Sequence, residues 1–241
     1  MSLAARLLPL IDLTSLQDSQ ADDIEGLCAG GRTAHGPVAA LCSWPCHVAA
    51  LHRCLGEDRP PWLASVVNFP AGAPEKAAAC AEARACVAEG ADELDLVWPY
   101  EAWLAGEQDL ALDLVAAVRA AAPKACLKVI LETGAFDEDA AKIGVASAAV
   151  IEAGADMLKT STGKSARGAT EVAARAMLEA IRASGRPVGF KASGGIRSLE
   201  DAALYLGLAE EIMGADWVAP ATFRIGASRL LDEVLSALKA E

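Results

Sequence analysis

The sequence predicts a closed barrel of eight parallel strands wrapped by helices, the TIM (β/α)8 architecture, as one domain over residues 1–241. Three observations carry that prediction. Eight short apolar runs alternate with longer alanine-rich segments. The triplet Gly-Ala-Asp recurs at Gly90, Gly154 and Gly214, at offsets of 64 and 60 residues, and each copy stands ahead of an apolar run. No glycine-rich dinucleotide fingerprint is present, which an open Rossmann sheet would carry in its first strand–helix turn.

The apolar runs are Leu7–Leu13, Val38–Trp44, Trp62–Phe69, Leu94–Trp98, Cys126–Glu132, Met157–Thr160, Val188–Lys191 and Trp217–Ala219. Each has strand length. The segments between them, mostly about 10 to 20 residues, suit helices, because alanine is the best helix former. Strands that alternate with helices pair in parallel through crossovers. Glycine adopts the left-handed conformation that ends a helix, so the three Gly-Ala-Asp triplets, each ahead of a run, fit short helix-to-strand loops. Ser198 and Asp201 have capping-box spacing ahead of an amphipathic helix over Leu199–Met213. No low-complexity tract or charge block divides the chain.

The charge balance narrows the function. With 33 acidic and 21 basic side chains, the net charge is −12. Nothing forms the basic stripe that nucleic-acid binding needs. No apolar run approaches the roughly 18 residues of a membrane span. Met1–Leu13 contains Pro9 and Asp12 and lacks the pattern of a signal peptide. Seven cysteines at irregular spacing predict reduced thiols and a cytoplasmic protein without a disulfide framework. Cys42 and Cys46, with His35, His47 and His52, form no known ligand pattern, so neither a metal nor a cofactor is expected. A homodimer is the default assembly.

Charged residues inside apolar strands point to the chemistry. Asp12 lies between Ile11 and Leu13, Asp95 between Leu94 and Leu96, and Lys128 between Leu127 and Val129. Lys159 follows Met157-Leu158, and Lys191 follows Gly189-Phe190. A single such lysine reads most simply as a strand-end residue reaching solvent. Five charges in five strands need another reason, since burying a charge is costly. A barrel converges the C-terminal ends of its strands on one mouth, where amines and acids offset one another. An amine there becomes nucleophilic when burial and a second cation lower its pKa, and it can then condense with a carbonyl to a Schiff base. Lys128 competes with Lys159 and Lys191 for that role. Asp95 is expected to move protons or to stabilise cationic intermediates.

The loops after the last strands read as a phosphate cradle. Ser193-Gly194-Gly195-Ile196-Arg197 precedes the capping box, and Arg224-Ile225-Gly226-Ala227-Ser228 is read as following the eighth strand and opening a helix. Glycines let backbone N–H groups approach an anion, and helix N-termini favour negative charge. Thr160-Ser161-Thr162-Gly163-Lys164 adds hydroxyls and a cation after the sixth strand.

On these residues the sequence resembles the deoxyribose-phosphate aldolases, from Leu10-Ile11-Asp12-Leu13-Thr14 to about Leu238. The most specific pieces are Asp92-Glu93-Leu94-Asp95-Leu96-Val97, Leu127-Lys128-Val129-Ile130-Leu131-Glu132-Thr133-Gly134, Lys159-Thr160-Ser161-Thr162-Gly163-Lys164 and Gly189–Arg197, with Val66-Val67-Asn68-Phe69-Pro70 beside them. The resemblance implies a TIM barrel and a class I aldolase. Its reaction interconverts 2-deoxy-D-ribose 5-phosphate with D-glyceraldehyde 3-phosphate and acetaldehyde. It implies Lys159 as the Schiff-base lysine, Lys191 as the lysine that perturbs it and Asp95 as the proton-transfer group. It places Asp12, Thr14, Cys42 and Lys128 near the substrate, and Thr162, Gly163, Lys164, Gly194, Gly195, Gly226 and Ser228 around the sugar and its phosphate. Two departures stand out. Arg229 follows Ser228 where the family often has a second serine, and the sequence ends Lys239-Ala240-Glu241 where some members carry a tail ending in tyrosine. A Schiff-base aldolase for another phosphosugar and a non-catalytic sugar-phosphate sensor are the alternative readings.

Overall fold

In the computed structural model, residues 1–16 and 23–241 are described. Eight parallel strands close into one barrel. They are β1 (Ile11–Thr14), β2 (Ala40–Ser43), β3 (Trp62–Val67), β4 (Glu93–Val97), β5 (Cys126–Ile130), β6 (Met157–Lys159), β7 (Gly189–Ser193) and β8 (Phe223–Ala227). Each strand pairs with its sequence neighbours, and β1 closes the ring against β8. Arg32–Thr33 and Gly36–Pro37 form a separate two-stranded antiparallel ladder.

The helices are α1 (Leu3–Leu7), α2 (Ile24–Gly31), α3 (Val48–Leu55), α4 (Lys76–Ala88), α5 (Tyr100–Leu104), α6 (Gln108–Ala121), α7 (Ala140–Glu152), α8 (Glu171–Ser184), α9 (Leu199–Met213) and α10 (Leu230–Lys239). Side-chain caps fix several starts: Asp23 for α2, Asp139 for α7 and Thr170 for α8 each accept a backbone N–H of the first turn. Ser198 and Asp201 form the capping box expected of α9. Such caps satisfy donors that would otherwise be orphaned and are worth about 1 kcal/mol each.

Period-two alternation separates two interiors. Ile11, Leu41, Leu63, Leu94, Leu127, Leu158, Phe190 and Phe223 face outward into one continuous apolar core with the helices. The alternate residues face the barrel axis, and there the side chains are largely polar. Asp12, Glu93, Asp95, Lys128, Lys191 and Arg224 are all buried. A small separate apolar cluster of Leu16, Cys42, Ala64 and Val66 packs with Trp44 and Phe69.

The Gly-Ala-Asp repeat has a structural role in two of its three copies. Asp92 Oδ2 accepts from the Leu63 amide at 2.9 Å and from Arg59 Nε at 2.6 Å. Asp156 Oδ2 accepts from the Leu127 amide at 2.7 Å and from Arg119 Nη1 at 2.5 Å. In both copies the aspartate clamps the start of the preceding strand.

Three sequence expectations need correction. The eighth strand is Phe223–Ala227, not Trp217–Ala219. Gly214 ends α9, Ala215–Trp217 is a 3-10 turn, and Thr222 closes the next turn on Ala219, so extended backbone begins only afterwards. Arg224 is therefore in a strand and points inward, rather than sitting in a loop. Within Leu7–Leu13 only Ile11 onward is strand, because Leu3–Leu7 is helical and Pro9 sits in a 3-10 turn. The expectation of uniformly reduced cysteines fails for one pair. Cys28 on α2 and Cys54 on α3 are bridged, with Cα atoms 6.5 Å apart, within disulfide reach. Two helices packed together bring these distant cysteines into contact, which spacing alone does not reveal. Cys42, Cys46, Cys80, Cys86 and Cys126 are free. No helix among the described residues is long and apolar enough to cross a membrane.

Candidate active site

The strand register brings the charged residues together. Asp95 lies beside Lys128, Lys159 beside Lys191, and Lys191 beside Arg224, each pair on adjacent strands. All therefore point to the barrel axis. Asp95 Oδ2 accepts from both Lys159 Nζ at 2.6 Å and Lys191 Nζ at 2.8 Å. Lys191 Nζ also lies 2.6 Å from Asp12 Oδ2. Lys128 Nζ sits among Asp12 at 3.0 Å, Glu93 at 2.5 Å and Asp95 at 3.1 Å. Below them, Arg224 bridges Asp12 at 2.6 Å and Glu93 at 2.9 Å.

This ladder holds four potential cations (Lys128, Lys159, Lys191, Arg224) and three carboxylates (Asp12, Glu93, Asp95). It is neutral only when one cation gives up its proton. The surroundings select Lys159. Burial is the largest influence on its amine and lowers its pKa. Asp95 opposes that shift, Lys191 adds to it, and the net pKa is below the ordinary lysine value. Burial would also lower Lys191, yet Asp12 and Asp95 outweigh it and hold that amine above the ordinary value. Lys128, among three carboxylates, is held well above it despite complete burial. Burial would raise the Asp95 carboxyl, but Lys128, Lys159 and Lys191 together hold it well below the usual range.

Access selects the same lysine. A cavity of about 240 Å³ opens at the C-terminal mouth, lined by Thr14, Leu16, Lys159, the loop Thr162–Lys164, the loop Ser193–Arg197, and Gly226–Ser228. Lys159 is the one ladder residue among those lining it. Asp12, Cys42, Asp95, Lys128 and Lys191 are buried and do not themselves line it. Asp12 and Lys128 in particular are fully buried and engaged with Arg224 and Glu93. A larger groove of about 1000 Å³ runs outside the barrel between α7 and α8, but its lining gathers no comparable set of buried charges.

The cradle is held rigidly around the cavity. Gly194 and Gly195 have φ of 93° and 88°, the left-handed region that glycine enters without strain. A Cβ at Gly226 would meet Lys191 Cε at 2.9 Å, so glycine there leaves the lysine its room. Thr160 Oγ1 donates to Ser193 O and accepts from Ser193 N, both at 2.9 Å, which pins β6 to β7. Arg197 lines the cavity, while Arg229 is exposed and outside it. Cys42 is buried, with its sulfur 3.8 Å from Asp95 and its thiol pushed up to about 11 by burial and then by the Asp95 charge.

Sequence reasoning missed Glu93, Arg224 and Glu132 as parts of this arrangement. The inward period of β4 and β8 contains the signal for Glu93 and Arg224, once the eighth strand is correctly placed. Glu132 was legible only as a letter within a motif.

The comparisons with known proteins agree with this geometry. Residues 9–232 match the DeoC/LacD family aldolase model. A curated deoxyribose-phosphate aldolase of Agrobacterium fabrum (strain C58) is 49% identical over 237 residues, covering 98% of this chain and 91% of that protein. Among solved structures, a provisionally named deoxyribose-phosphate aldolase from Coccidioides immitis superposes with a TM-score of 0.85 at 28% identity. That match covers 99% of this chain and 87% of the other. The deoxyribose phosphate aldolase of Aeropyrum pernix, described as a tetramer, gives 0.75 at 28% identity, with 99% and 91% covered. The barrel, the lysine pair at the floor of a glycine-lined cavity and these likenesses together show that the chain belongs to the DeoC/LacD family of aldolases.

Proposed function

We propose that this aldolase cleaves 2-deoxy-D-ribose 5-phosphate reversibly to D-glyceraldehyde 3-phosphate and acetaldehyde through a Schiff base on Lys159. The observation that carries the assignment of Lys159 is its position. It is the ladder amine that lines the cavity, and it shares one Asp95 oxygen with a second, fully buried lysine.

The free Lys159 amine attacks the C1 aldehyde of the open-chain sugar, and the resulting carbinolamine takes up one proton and loses water to leave an iminium. Removal of the C3 hydroxyl proton lets the C2–C3 bond break. Its electrons pass into the iminium to give an enamine, and glyceraldehyde 3-phosphate leaves. Protonation of the enamine carbon and hydrolysis then release acetaldehyde and restore the amine. Asp95, held as a carboxylate, is the counter-ion to the iminium and the hydrogen-bond link between Lys159 and Lys191 through which protons move. Thr14 lines the sugar end of the cavity. Gly163, Lys164, Gly194, Gly195, Gly226 and Ser228 surround the phosphate, with Arg197 as an added cation. The reading includes a cytoplasmic location and a homodimeric assembly.

Borohydride reduction in the presence of acetaldehyde tests the assignment. The expected product is a two-carbon adduct on Lys159, found by peptide mass, that persists in Lys128→Met and is absent from Lys159→Met. An adduct on Lys128 or Lys191 in the unmodified enzyme would overturn it.

A further inference from the structure

The loop that supplies Thr162, Gly163 and Lys164 to the cavity is held by a residue that does not line it. Glu132 follows β5 with its backbone in the left-handed region, at φ 53° and ψ 57°. That conformation is strained for any residue with a Cβ and persists where surrounding contacts impose it. The contacts are specific. Glu132 Oε2 accepts from the Thr162 amide at 3.1 Å and from Thr162 Oγ1 at 2.5 Å, while Oε1 accepts from Ser165 Oγ at 2.8 Å. Thr162 Oγ1 in turn accepts from the Lys164 amide at 3.0 Å. One buried carboxylate therefore ties down both ends of the segment Thr162–Ser165.

The neighbouring glycines brace the same loop. A Cβ at Gly134 would meet Arg167 O at 2.7 Å, and one at Gly168 would meet Gly194 O at 2.3 Å. The Ala169 amide donates to Gly194 O at 3.0 Å. The loop after β6 is thus held between Glu132 on one side and the Gly194 turn on the other. Both Glu132 oxygens are turned onto loop donors.

The geometry points to Glu132 as a positioning residue for anion recognition: it sets the Thr162–Lys164 loop against the Gly194–Gly195 turn and so determines selectivity for a phosphorylated over an unphosphorylated substrate. This rests on the reading of the cavity as a sugar-phosphate site. A carboxylate accepting several hydrogen bonds orders a loop more strongly than neutral contacts do, and a loop displaced by an ångström loses its fit to a small anion.

The test compares 2-deoxyribose 5-phosphate with unphosphorylated 2-deoxyribose in the full-length enzyme, together with competition by inorganic phosphate. Glu132→Ala is expected to lower the ratio of kcat/KM for the two substrates by about tenfold, mainly through KM for the phosphorylated one, and to weaken phosphate inhibition in parallel. Glu132→Gln, whose amide oxygen can still accept from Thr162, should recover most of the ratio. Ser165→Ala, which removes an exposed hydroxyl that reaches Glu132 Oε1 and the Arg167 carbonyl, should shift the ratio in the same direction by a smaller factor and gives a readout should Glu132→Ala fail to fold. Equal losses on both substrates or an unchanged ratio in Glu132→Ala, or, should that variant fail to fold, a ratio unchanged in Ser165→Ala, would overturn the inference and leave the sugar-phosphate reading intact. A wild-type enzyme indifferent to the phosphate would overturn that reading itself.

Discussion

Replacing Lys191 with methionine removes the cation next to the proposed nucleophile, Lys159, while leaving an unbranched side chain in its place. Lys159 and Lys191 bond the same Asp95 oxygen at 2.6 and 2.8 Å, so their nitrogens can be no further apart than the sum of the two, 5.4 Å. At an effective dielectric of about 20, two unit charges at that separation repel by about 3 kcal/mol. This corresponds to about two pKa units on Lys159. Without Lys191, the ladder holds three potential cations against three carboxylates, and protonated Lys159 becomes the form that balances it. The free-amine fraction near neutral pH should therefore fall, by up to about a hundredfold where the free amine is already the minor form. The assay is the initial rate of borohydride trapping with acetaldehyde across pH 6 to 10, with the adduct located by peptide mass. The expected profile for Lys191→Met is a large loss at pH 7 that recovers about tenfold per pH unit while the free amine is the minor form. A profile parallel to that of the unmodified enzyme, with no shift along the pH axis, would refute the electrostatic role.

Other perturbations have equally definite outcomes. Gly195→Val places a β-branched residue at a φ of 88°, a strain of about 1–2 kcal/mol. KM for the phosphorylated substrate should rise about tenfold, and an unchanged KM would remove Gly195 from the cradle. Asp12 carries an acid-stability signature. Burial would raise its carboxyl, but Lys128, Lys191 and Arg224 hold it far below the usual range. The folded pKa lies below the unfolded value of about 3.9, so its stabilisation is present above that value and lost as pH falls through the folded pKa. Thermal melts of Asp12→Asn should show a lower Tm at pH 7 and a shallower fall between about pH 4 and 2 than the unmodified chain. Iodoacetamide on the native enzyme should label exposed Cys46 well before buried Cys42, whose thiol is pushed up to about 11. Early labelling of Cys42 would show that the barrel interior opens.

The barrel and the buried charges along its axis were legible because their signals are local. Charges inside apolar runs, such as Asp95 in Leu94-Asp95-Leu96, mark the inward face of a strand whichever strand it is. The Leu199–Met213 helix was legible from its capping box, and its boundaries agree with the structure. Arg224 was misread because Trp217–Ala219 is as apolar as a strand, and only the turn closed by Thr222 shows that extension starts later. The difference between Lys159 and Lys128 depends on depth along the barrel axis, which register and strand tilt set together. Sequence places both lysines in strands but gives neither a height. Glu132 escaped notice because its role lies in bonds to residues 30 and 33 positions away.

If Lys159 carries the Schiff base as proposed, the odd cation in the ladder also governs how the enzyme is released from its own intermediate. An iminium on Lys159 carries the same single positive charge as the ammonium. Lys191 therefore repels both, and the field that frees the amine for attack also keeps the covalent adduct from becoming a resting place. Hydrolysis to the neutral amine returns the barrel interior to three charges of each sign. Activation at the start of the cycle and product release at its end thus draw on one electrostatic imbalance. A substitution that relieves it, by adding a carboxylate or removing a cation, should slow the first step and prolong the lifetime of the last covalent species.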